Sequence, residues 1–396
     1  RMSVNALTEM VNKSRSCIPY MEVDHMFDPP KMDHTVCDLQ VYGHYFAFLP
    51  LARLTCGSRQ NMDVEYTFMK TMLKMQGEDG LLYSPTVGWP WVLLKSPGVG
   101  LPASDGQIEQ VCTLGYGTIR ALTGFLIYAQ KDPRGPWAMA ARRLAEGFKR
   151  SFIIEGDNAF LFDEWTEPGR PIAKMDPPLD GIKAAAGTWV AKALAQYDQK
   201  HGQTENSDLI EKISHYAVGD LNYFAEDGRF LEDMPPNGQW AHFHTHAMNL
   251  LAVLYGARTT GNRELLDKAL KAYHYAIRAG DGLVGYFPEN VHEDGPENWD
   301  QHPWGFITAE SCEVGDMVIA ALTLAKMGVD KWDDADRWIR NHFAEAQMTQ
   351  THWLTDGNLD RSMAQPMEGT FKGMYETSLS QVQNGKSTTD RVAERS

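Results

Sequence analysis

Two possible metal ligands, Glu310 and Cys312, stand two positions apart where a helix is expected to start. Zinc accepts a carboxylate and a thiolate together, so this Glu-x-Cys element predicts part of a zinc site. A complete zinc site takes about four ligands, and the element supplies only two of them. On spacing alone, the competing interpretation is that Cys312 is a buried structural cysteine.

The loop before this element is crowded with carboxylates, histidines and tryptophans. General acid catalysis at a glycosidic oxygen needs a carboxyl group whose pKa is raised by apolar surroundings. Glu289 follows Phe287 and Pro288 and meets that need best, and Glu293 is its rival. Most acidic residues in such a loop are simply solvated, and this alternative stays open for both.

Three histidines, His242, His244 and His246, alternate with other residues just before another expected helix. Neutral imidazoles can ligate a metal or hydrogen-bond to sugar hydroxyls. We take His242 and His246, with His302 and Trp304 of the later loop, as candidate substrate contacts. The alternative is that the histidines cap and pack the helix start. Flat aromatic faces also support sugar rings, and tryptophans lie in or beside the suspected site at Trp89, Trp91, Trp240, Trp299 and Trp304.

Helices must position these residues, because nearly every clearly periodic segment has helical spacing. The apolar side chains of residues 63–76 share one helical face, and the pattern stops at Gly77. The same periodicity recurs at 137–153, 184–197, 209–224, 247–257, 263–279, 314–327 and 332–347.

Short turns follow several of these helices and contain Asp with Gly or Asn, residues that suit the ends of helices. Their Asp residues are Asp79, Asp157, Asp227, Asp281 and Asp356. Recurrent helix pairs with turns at one end predict an all-α fold, an α/α toroid, and the intervals are too irregular for a regular solenoid. We expect the toroid to span 1–350 and a poorly ordered tail to span 351–396. Three long loops would rim its central cavity, at 84–106, 162–180 and 282–308.

Composition excludes several classes of partner. The 396 residues are 43% hydrophobic and 22% charged, which predicts a globular fold and not a disordered chain. A net charge of -15 argues against binding to nucleic acid or to an anionic membrane surface. The sequence contains no run of about eighteen apolar residues, so it predicts no membrane span. The five cysteines are odd in number and widely spaced, which favours free thiols over a disulfide framework.

The order of the motifs resembles that in one family of sugar hydrolases. The segments 242–245, 282–285 and 309–312 recur in this order in the β-L-arabinofuranosidase family, glycoside hydrolase family 127, and the resemblance covers roughly 240–350. It implies an α/α barrel in which zinc is held by the Glu-x-Cys element and by a later pair of adjacent cysteines. One cysteine of that pair is the nucleophile of a retaining reaction on a furanoside such as β-L-arabinofuranose.

The resemblance also implies residue roles: Glu310 and Cys312 as zinc ligands, Glu289 as the acid/base with Glu293 as its rival, and His242 as a sugar contact. No cysteine follows Cys312, so the nucleophile and two zinc ligands would lie beyond this sequence. We therefore expect a fragment that is inactive or unstable alone, with its activity and complete zinc site in an intact parent.

Two other functions remain open. One is a metal-independent α/α-barrel sugar epimerase or polysaccharide lyase that acts through His242, His246 or His302. The other is a non-catalytic toroid that binds carbohydrate. In every case the expected partner is a carbohydrate, while the exact sugar, the compartment, cytoplasmic or periplasmic, and the oligomeric state stay open.

Overall fold

Helices of two kinds alternate along the chain in the computed structural model. It describes residues 1–14, 16–20, 22–24, 31–33, 39–85, 110–113, 117–161, 165–166, 187–232, 240–292, 311–347, 349, 382–383 and 386–387. The helices in these ranges are α1 (Met2–Glu9), α2 (Leu39–Cys56), α3 (Met62–Met75), α4 (Gly117–Lys131), α5 (Trp137–Ser151), α6 (Val190–His201), α7 (Ser207–Val218), α8 (Phe243–Thr260), α9 (Arg263–Ala279), α10 (Ser311–Lys326) and α11 (Trp332–Trp338).

The even-numbered helices α2, α4, α6, α8 and α10 form an inner layer, in which each packs against the next. The helix that follows each of them in sequence, α3, α5, α7, α9 or α11, packs against its outer side. A hydrogen bond of 3.1 Å from Nε2 of Gln347 to Oγ of Ser3 joins the region after α11 to α1. This alternation confirms the predicted all-α, α/α-toroid fold.

Burial separates the two layers. In the inner helix α8, every side chain from Thr245 to Ala257 is buried, as expected for a helix covered on all sides. The outer helix α9 buries one stripe, which includes Leu265, Ala269 and Tyr273, and turns its charged side chains outward. The hydrophobic core therefore lies between the layers and between neighbouring inner helices.

The strands are short and lie mainly in the connections between helices. They are β1 (Val11–Asn12), β2 (Ile18–Pro19), β3 (Glu22–Asp24), β4 (Lys31–Asp33), β5 (Ser84–Pro85), β6 (Gln110–Thr113), β7 (Ile153–Glu155), β8 (Asn158–Phe160), β9 (Trp165–Thr166), β10 (Trp240–His242), β11 (Asn290–His292), β12 (Val382–Gln383) and β13 (Lys386–Ser387). All pairings between them are antiparallel: β1 with β2, β3 with β4, β5 with β6, β6 with β9, β7 with β8, β10 with β11 and β12 with β13. The β10–β11 pair precedes α8 and matters for the site.

A tight turn follows each of the outer helices α3, α5, α7 and α9. These turns contain four of the Asp motifs found in the sequence, and strand-like pairs close them: Gln76 with Leu82, β7 with β8, Phe224 with Phe230, and Asp281 with Tyr286. The fifth motif, at Asp356, lies outside the described residues. The repeat recognised in the sequence is thus the end of an outer helix.

Two of these turns bring their glycine backbone against the next outer helix. Gly80 has a φ of +87°, and a Cβ there would lie 2.1 Å from the carbonyl oxygen of Arg143 in α5. Gly228 has a φ of +88°, and its Cβ would lie 2.3 Å from the carbonyl carbon of Lys271 in α9. Glycine alone suits both the positive φ and the close approach. The turns therefore join consecutive outer helices.

The segments predicted as helices correspond to α3 and to α5–α11, with shifted ends. The last was predicted to reach residue 347, but α11 ends at Trp338 and a π-helix, Ile339–Phe343, follows. Helices α2 and α4 had no counterpart among those segments.

Most of the long loops and of the 351–396 tail lie outside the described residues, so those predictions, and the domain boundary at 350, stay untested. None of the helices in the described ranges has the length and apolar character needed to cross a bilayer.

Candidate functional site

Five polar side chains gather at the N-terminal ends of the inner helices, and we call them the inner cluster. They are His44 of α2, Arg120 of α4, Lys192 of α6, His244 of α8 and Asp316 of α10. Each lies within the first six positions of its helix. Because every inner helix is followed by an outer helix that returns, the inner helices run in the same direction and present these ends together.

His244 and Asp316 form the acid–base pair of the cluster. Nδ1 of His244 lies 2.7 Å from Oδ2 of Asp316, and the two side chains are 18% and 9% exposed. A carboxylate can only accept a hydrogen bond, so it holds the proton on Nδ1 and leaves the lone pair on Nε2. The ring of Trp189 lies 5.8 Å from that of His244. His244 is therefore oriented to accept a proton through Nε2.

His44 and Arg120 form a second pair, at 2.8 Å between Nδ1 and Nη1. Arginine always donates, so Nδ1 of His44 accepts and Nε2 carries the proton. Burial, with the nearby Arg120 and His244, lowers the pKa of His44 well below its usual value and keeps the ring neutral. Phe48 is 44% exposed beside this pair, and the Arg120 guanidinium lies 5.9 Å from its ring centroid.

Lys192 lies opposite Arg120 across the contact between α6 and α4. A 3.0 Å hydrogen bond from Thr123 to Gln196 sets the register of the two helices one turn further along. Burial lowers the pKa of Lys192, Asp316 opposes the shift, and Arg120 adds to it. Within the described part of the chain, the Lys192 amine has no ion pair.

The β10–β11 ladder brings the predicted residues Glu289 and His242 together at the start of α8. The backbone N–H of Phe243 donates to the carbonyl oxygen of Glu289 at 2.9 Å, and His242 pairs with Asn290 in the ladder. Glu289 is half-buried and follows the buried Phe287. The acid/base role expected for Glu289 stays a prediction.

His242 is a neutral residue beside the inner cluster. Its Nδ1 lies 2.7 Å from Oγ1 of Thr245, and its ring is 6.0 Å from that of His244. Burial, with His244 and His246 nearby, lowers the pKa of His242 to about 3. The position next to His244 suits the predicted contact with a sugar, which stays a prediction.

His246 lies inside the protein. Its Nδ1 is 2.9 Å from the carbonyl oxygen of His242, and its ring stacks on Phe230 at 4.5 Å. Burial lowers the pKa of His246 to about 4. The side chain has no exposed surface. This placement favours the packing interpretation of this histidine over the predicted sugar contact.

Cys312 lies half-buried in the first turn of α10. It lies one helical turn before Asp316 and so on the same face of the helix as the inner cluster. Its predicted zinc partner Glu310 lies outside the described residues, as do Glu293, His302 and Trp304. Among the residues that the structure describes, no group of three or more His, Cys, Asp or Glu could hold a metal ion. These residues alone do not make up the predicted zinc site.

The sequence did not predict most residues of the inner cluster. His44 and Arg120 belong to α2 and α4, which were not predicted, and Lys192 stood in a predicted helix without a motif around it. His244 was noted between its neighbours but not chosen. Asp316 had the clearest signal, because it follows Cys312 by one turn on the same helical face.

No protein-family model matches this chain, and no curated protein matches its sequence. Among solved structures, a sugar epimerase from a ruminal bacterium is similar with a TM-score of 0.59 at 12% identity, over 94% of each chain. The cellobiose 2-epimerase of Bacillus thermoamylovorans B4167 is similar with a TM-score of 0.53 at 9% identity, over 78% of this chain and 76% of its own. The unsaturated glucuronyl hydrolase of Bacillus sp. GL1 gives 0.53 at 12% identity, over 87% and 83%. At such identities the similarity shows the α/α-toroid fold.

Proposed function

We propose that this protein is a carbohydrate-processing enzyme that moves a proton at the sugar carbon next to a carbonyl group, as a sugar epimerase does. The observation that carries the proposal is the His244–Asp316 pair at the N-terminal ends of the inner helices. Two of the similar structures carry the name of sugar epimerases, which supports the same reaction class.

Removal of a proton from a sugar carbon needs a base that is neutral and correctly oriented. Nε2 of His244 takes the proton from the carbon beside the carbonyl of the open-chain sugar, and the electron pair of the C–H bond moves into an enediolate. Asp316 stabilises the imidazolium that forms. Return of a proton to the opposite face of the same carbon gives the epimer.

The opposite face needs a second group, and His44 is the candidate. It belongs to α2, which is not next to α8 in the inner layer, and His244 still influences its pKa. A sugar bound at the inner cluster would lie between the two histidines. Arg120, bonded to His44, adds positive charge where the enediolate becomes negative.

The experiment is to incubate the full chain with reducing sugars in D2O and to follow the carbon next to the carbonyl by NMR. The proposal expects incorporation of deuterium and growth of the epimer. His244→Asn should abolish both, whereas His274→Asn, on the exposed face of α9, should change neither. Turnover without any solvent deuterium would contradict proton transfer at that carbon.

A second candidate is retaining glycoside hydrolysis, such as that of a β-L-arabinofuranoside. It is favoured by Glu289, which is hydrogen-bonded through its backbone next to His242, and by Cys312, which lies on the same helix face as Asp316. In this reading Glu289 is the acid/base, and zinc bound by Glu310 and Cys312 needs further ligands.

Release of sugar from aryl furanosides, with loss of rate in Glu289→Gln, would support hydrolysis over epimerisation. Zinc content gives an independent readout, because Cys312→Ser should lower the bound metal if Cys312 is a ligand. If sugars bind but neither reaction occurs, the protein is a non-catalytic carbohydrate-binding toroid.

A further inference from the structure

Two cationic side chains of the inner cluster, Arg120 and Lys192, are close enough for the charge of Arg120 to lower the pKa of Lys192. Arg120 and Lys192 lie at the same level of the neighbouring helices α4 and α6, as the Thr123–Gln196 hydrogen bond requires. In the described part of the chain, Lys192 forms no ion pair, and Asp316 is engaged by His244. Like charges held together in a partly buried place are unfavourable; Asp316 offsets this only in part, and a further anion would stabilise the two cations.

The helices themselves add to this positive potential. The N-terminal end of a helix carries a partial positive charge of about half an elementary charge and attracts anions. Five such ends meet at the inner cluster, because the inner helices run in the same direction. The whole chain, in contrast, has a net charge of -15, so the inner cluster, with Arg120 and Lys192 against Asp316, differs in sign from the chain as a whole.

An exposed aromatic face adjoins the same positive charge. Phe48 is 44% exposed, and its ring lies 5.8 Å from the His44 ring and 5.9 Å from the Arg120 guanidinium. Such a face supports the apolar side of a sugar ring. The combination of cations and a flat aromatic ring fits a ligand that has both a carboxylate and a pyranose or furanose ring.

We propose that the sugar taken by this site is acidic, a uronic acid or a sugar with a uronate residue, with its carboxylate held by Arg120 and Lys192 and its ring on Phe48. This inference rests on the proposed function, because it names the substrate class of that same site. It leaves His244 and Asp316 to the proton transfer and assigns the neighbouring cations to recognition.

The test compares glucuronate with glucose, which differ only in the group at carbon 6. Binding is measured by calorimetry, and turnover by the D2O assay described above. A hydrogen-bonded charge pair changes affinity by roughly 10- to 100-fold, so glucuronate should bind that much more tightly. Lys192→Met should remove most of the preference, chiefly through KM, and Lys200→Met, at the exposed far end of α6, should keep it.

Phe48→Ala separates ring recognition from charge recognition. It should weaken glucuronate and glucose by a similar factor, about 5- to 50-fold for a lost aromatic contact, and so preserve their ratio. Circular dichroism and the thermal midpoint check that each variant folds.

The outcomes divide cleanly. Equal binding of both sugars, or a preference that survives Lys192→Met, overturns the acidic-sugar inference while the epimerase proposal stands on turnover. Absence of turnover with any sugar contradicts the proposed function, and selective binding of glucuronate then still supports the inference. Tighter binding of glucose 6-phosphate than of glucuronate overturns the assignment to a carboxylate.

Discussion

The turns behind the outer helices are formed by contiguous residues, whereas the inner cluster takes each of its five side chains from a different helix. In the turn at Gly228, the backbone meets the next outer helix and Nζ of Lys271 donates to the carbonyl oxygen of Glu226 at 2.9 Å. In the cluster, His244 meets Asp316 across 72 positions of sequence. The turns join consecutive outer helices, whereas the inner cluster is the proposed catalytic site.

The difference predicts that the two regions respond to different measurements. A change in a turn should lower the free energy of unfolding and leave substrate preference intact, because the turns lie at the periphery. A change in the inner cluster should alter turnover more than it alters stability, because its side chains are polar groups near the helix ends and not apolar side chains of the core.

Asp316→Asn should give the largest effect, a fall in kcat of roughly 10²- to 10⁴-fold. Asparagine keeps the size of the side chain but can donate as well as accept, so it no longer fixes the proton on Nδ1 of His244, and it does not stabilise the imidazolium. Since Asp316 positions His244 and does not touch the sugar, KM should change little, and the pH profile of kcat should shift. These three quantities come from initial rates between pH 5 and 9.

The matched control for this variant is Asp267→Asn, on the exposed face of α9. It should leave kcat, KM and the thermal midpoint unchanged. An Asp316→Asn protein that keeps its rate but unfolds more easily would show that this carboxylate is structural and would contradict its role in positioning His244.

The pH dependence of the stability tests whether His246, next to the inner cluster, is buried as a neutral group. Folded His246 stays neutral until the pH falls to about 4, whereas the unfolded chain binds a proton near pH 6.5. Its contribution to stability is therefore complete above pH 6.5 and is lost as the pH falls toward 4. The loss from this residue amounts to roughly 3 kcal/mol at most.

Urea unfolding at pH 7 and pH 4.5 measures that loss. His246→Phe, which cannot titrate and keeps an aromatic ring against Phe230, should flatten the dependence in part, because His242 contributes as well. His274→Asn removes an exposed histidine whose pKa burial also lowers, so it should flatten the slope too, but less than His246→Phe does. An unchanged slope in His246→Phe would mean that this imidazole is not buried as a neutral group.

Gly228→Ala should lower the free energy of unfolding by about 1 to 3 kcal/mol. A Cβ at this position meets the Lys271 backbone at 2.3 Å, and the φ of +88° strains any other residue. Urea unfolding at pH 7 gives the value. The ratio of glucuronate to glucose binding should not change, since this turn lies outside the inner cluster.

The same contrast explains which parts of the molecule could be predicted. Helix α9 was predicted with the ends that the structure shows, because an outer helix has one buried stripe and a readable period. Helix α2 was missed, because an inner helix is apolar on several sides and this one also contains Gly43 and Pro50. The turn motifs could be recognised because their residues are adjacent in the sequence.

The inner cluster could not be assembled in that way. His44 and Arg120 are 76 positions apart, and nothing local to either residue indicates the other. The sequence motifs did locate its neighbours: His242 lies beside His244, and Cys312 lies one turn before Asp316. Motif spacing thus pointed to the ends of α8 and α10 that carry His244 and Asp316, while their partners depend on how the helices pack together.

Lys271→Met should give the smallest effect of these substitutions, and it tests how the turn contacts α9. Its amine donates to Glu226 from an exposed position, and surface substitutions of this kind change the free energy of unfolding by less than about 0.5 kcal/mol. Gly228→Ala acts on the same contact between the same turn and α9, but through the backbone. If Lys271→Met lowered the free energy of unfolding as much as Gly228→Ala, the side-chain hydrogen bond would join the outer helices, and the close backbone approach would not. Glycine would then be needed at this position only for its positive φ.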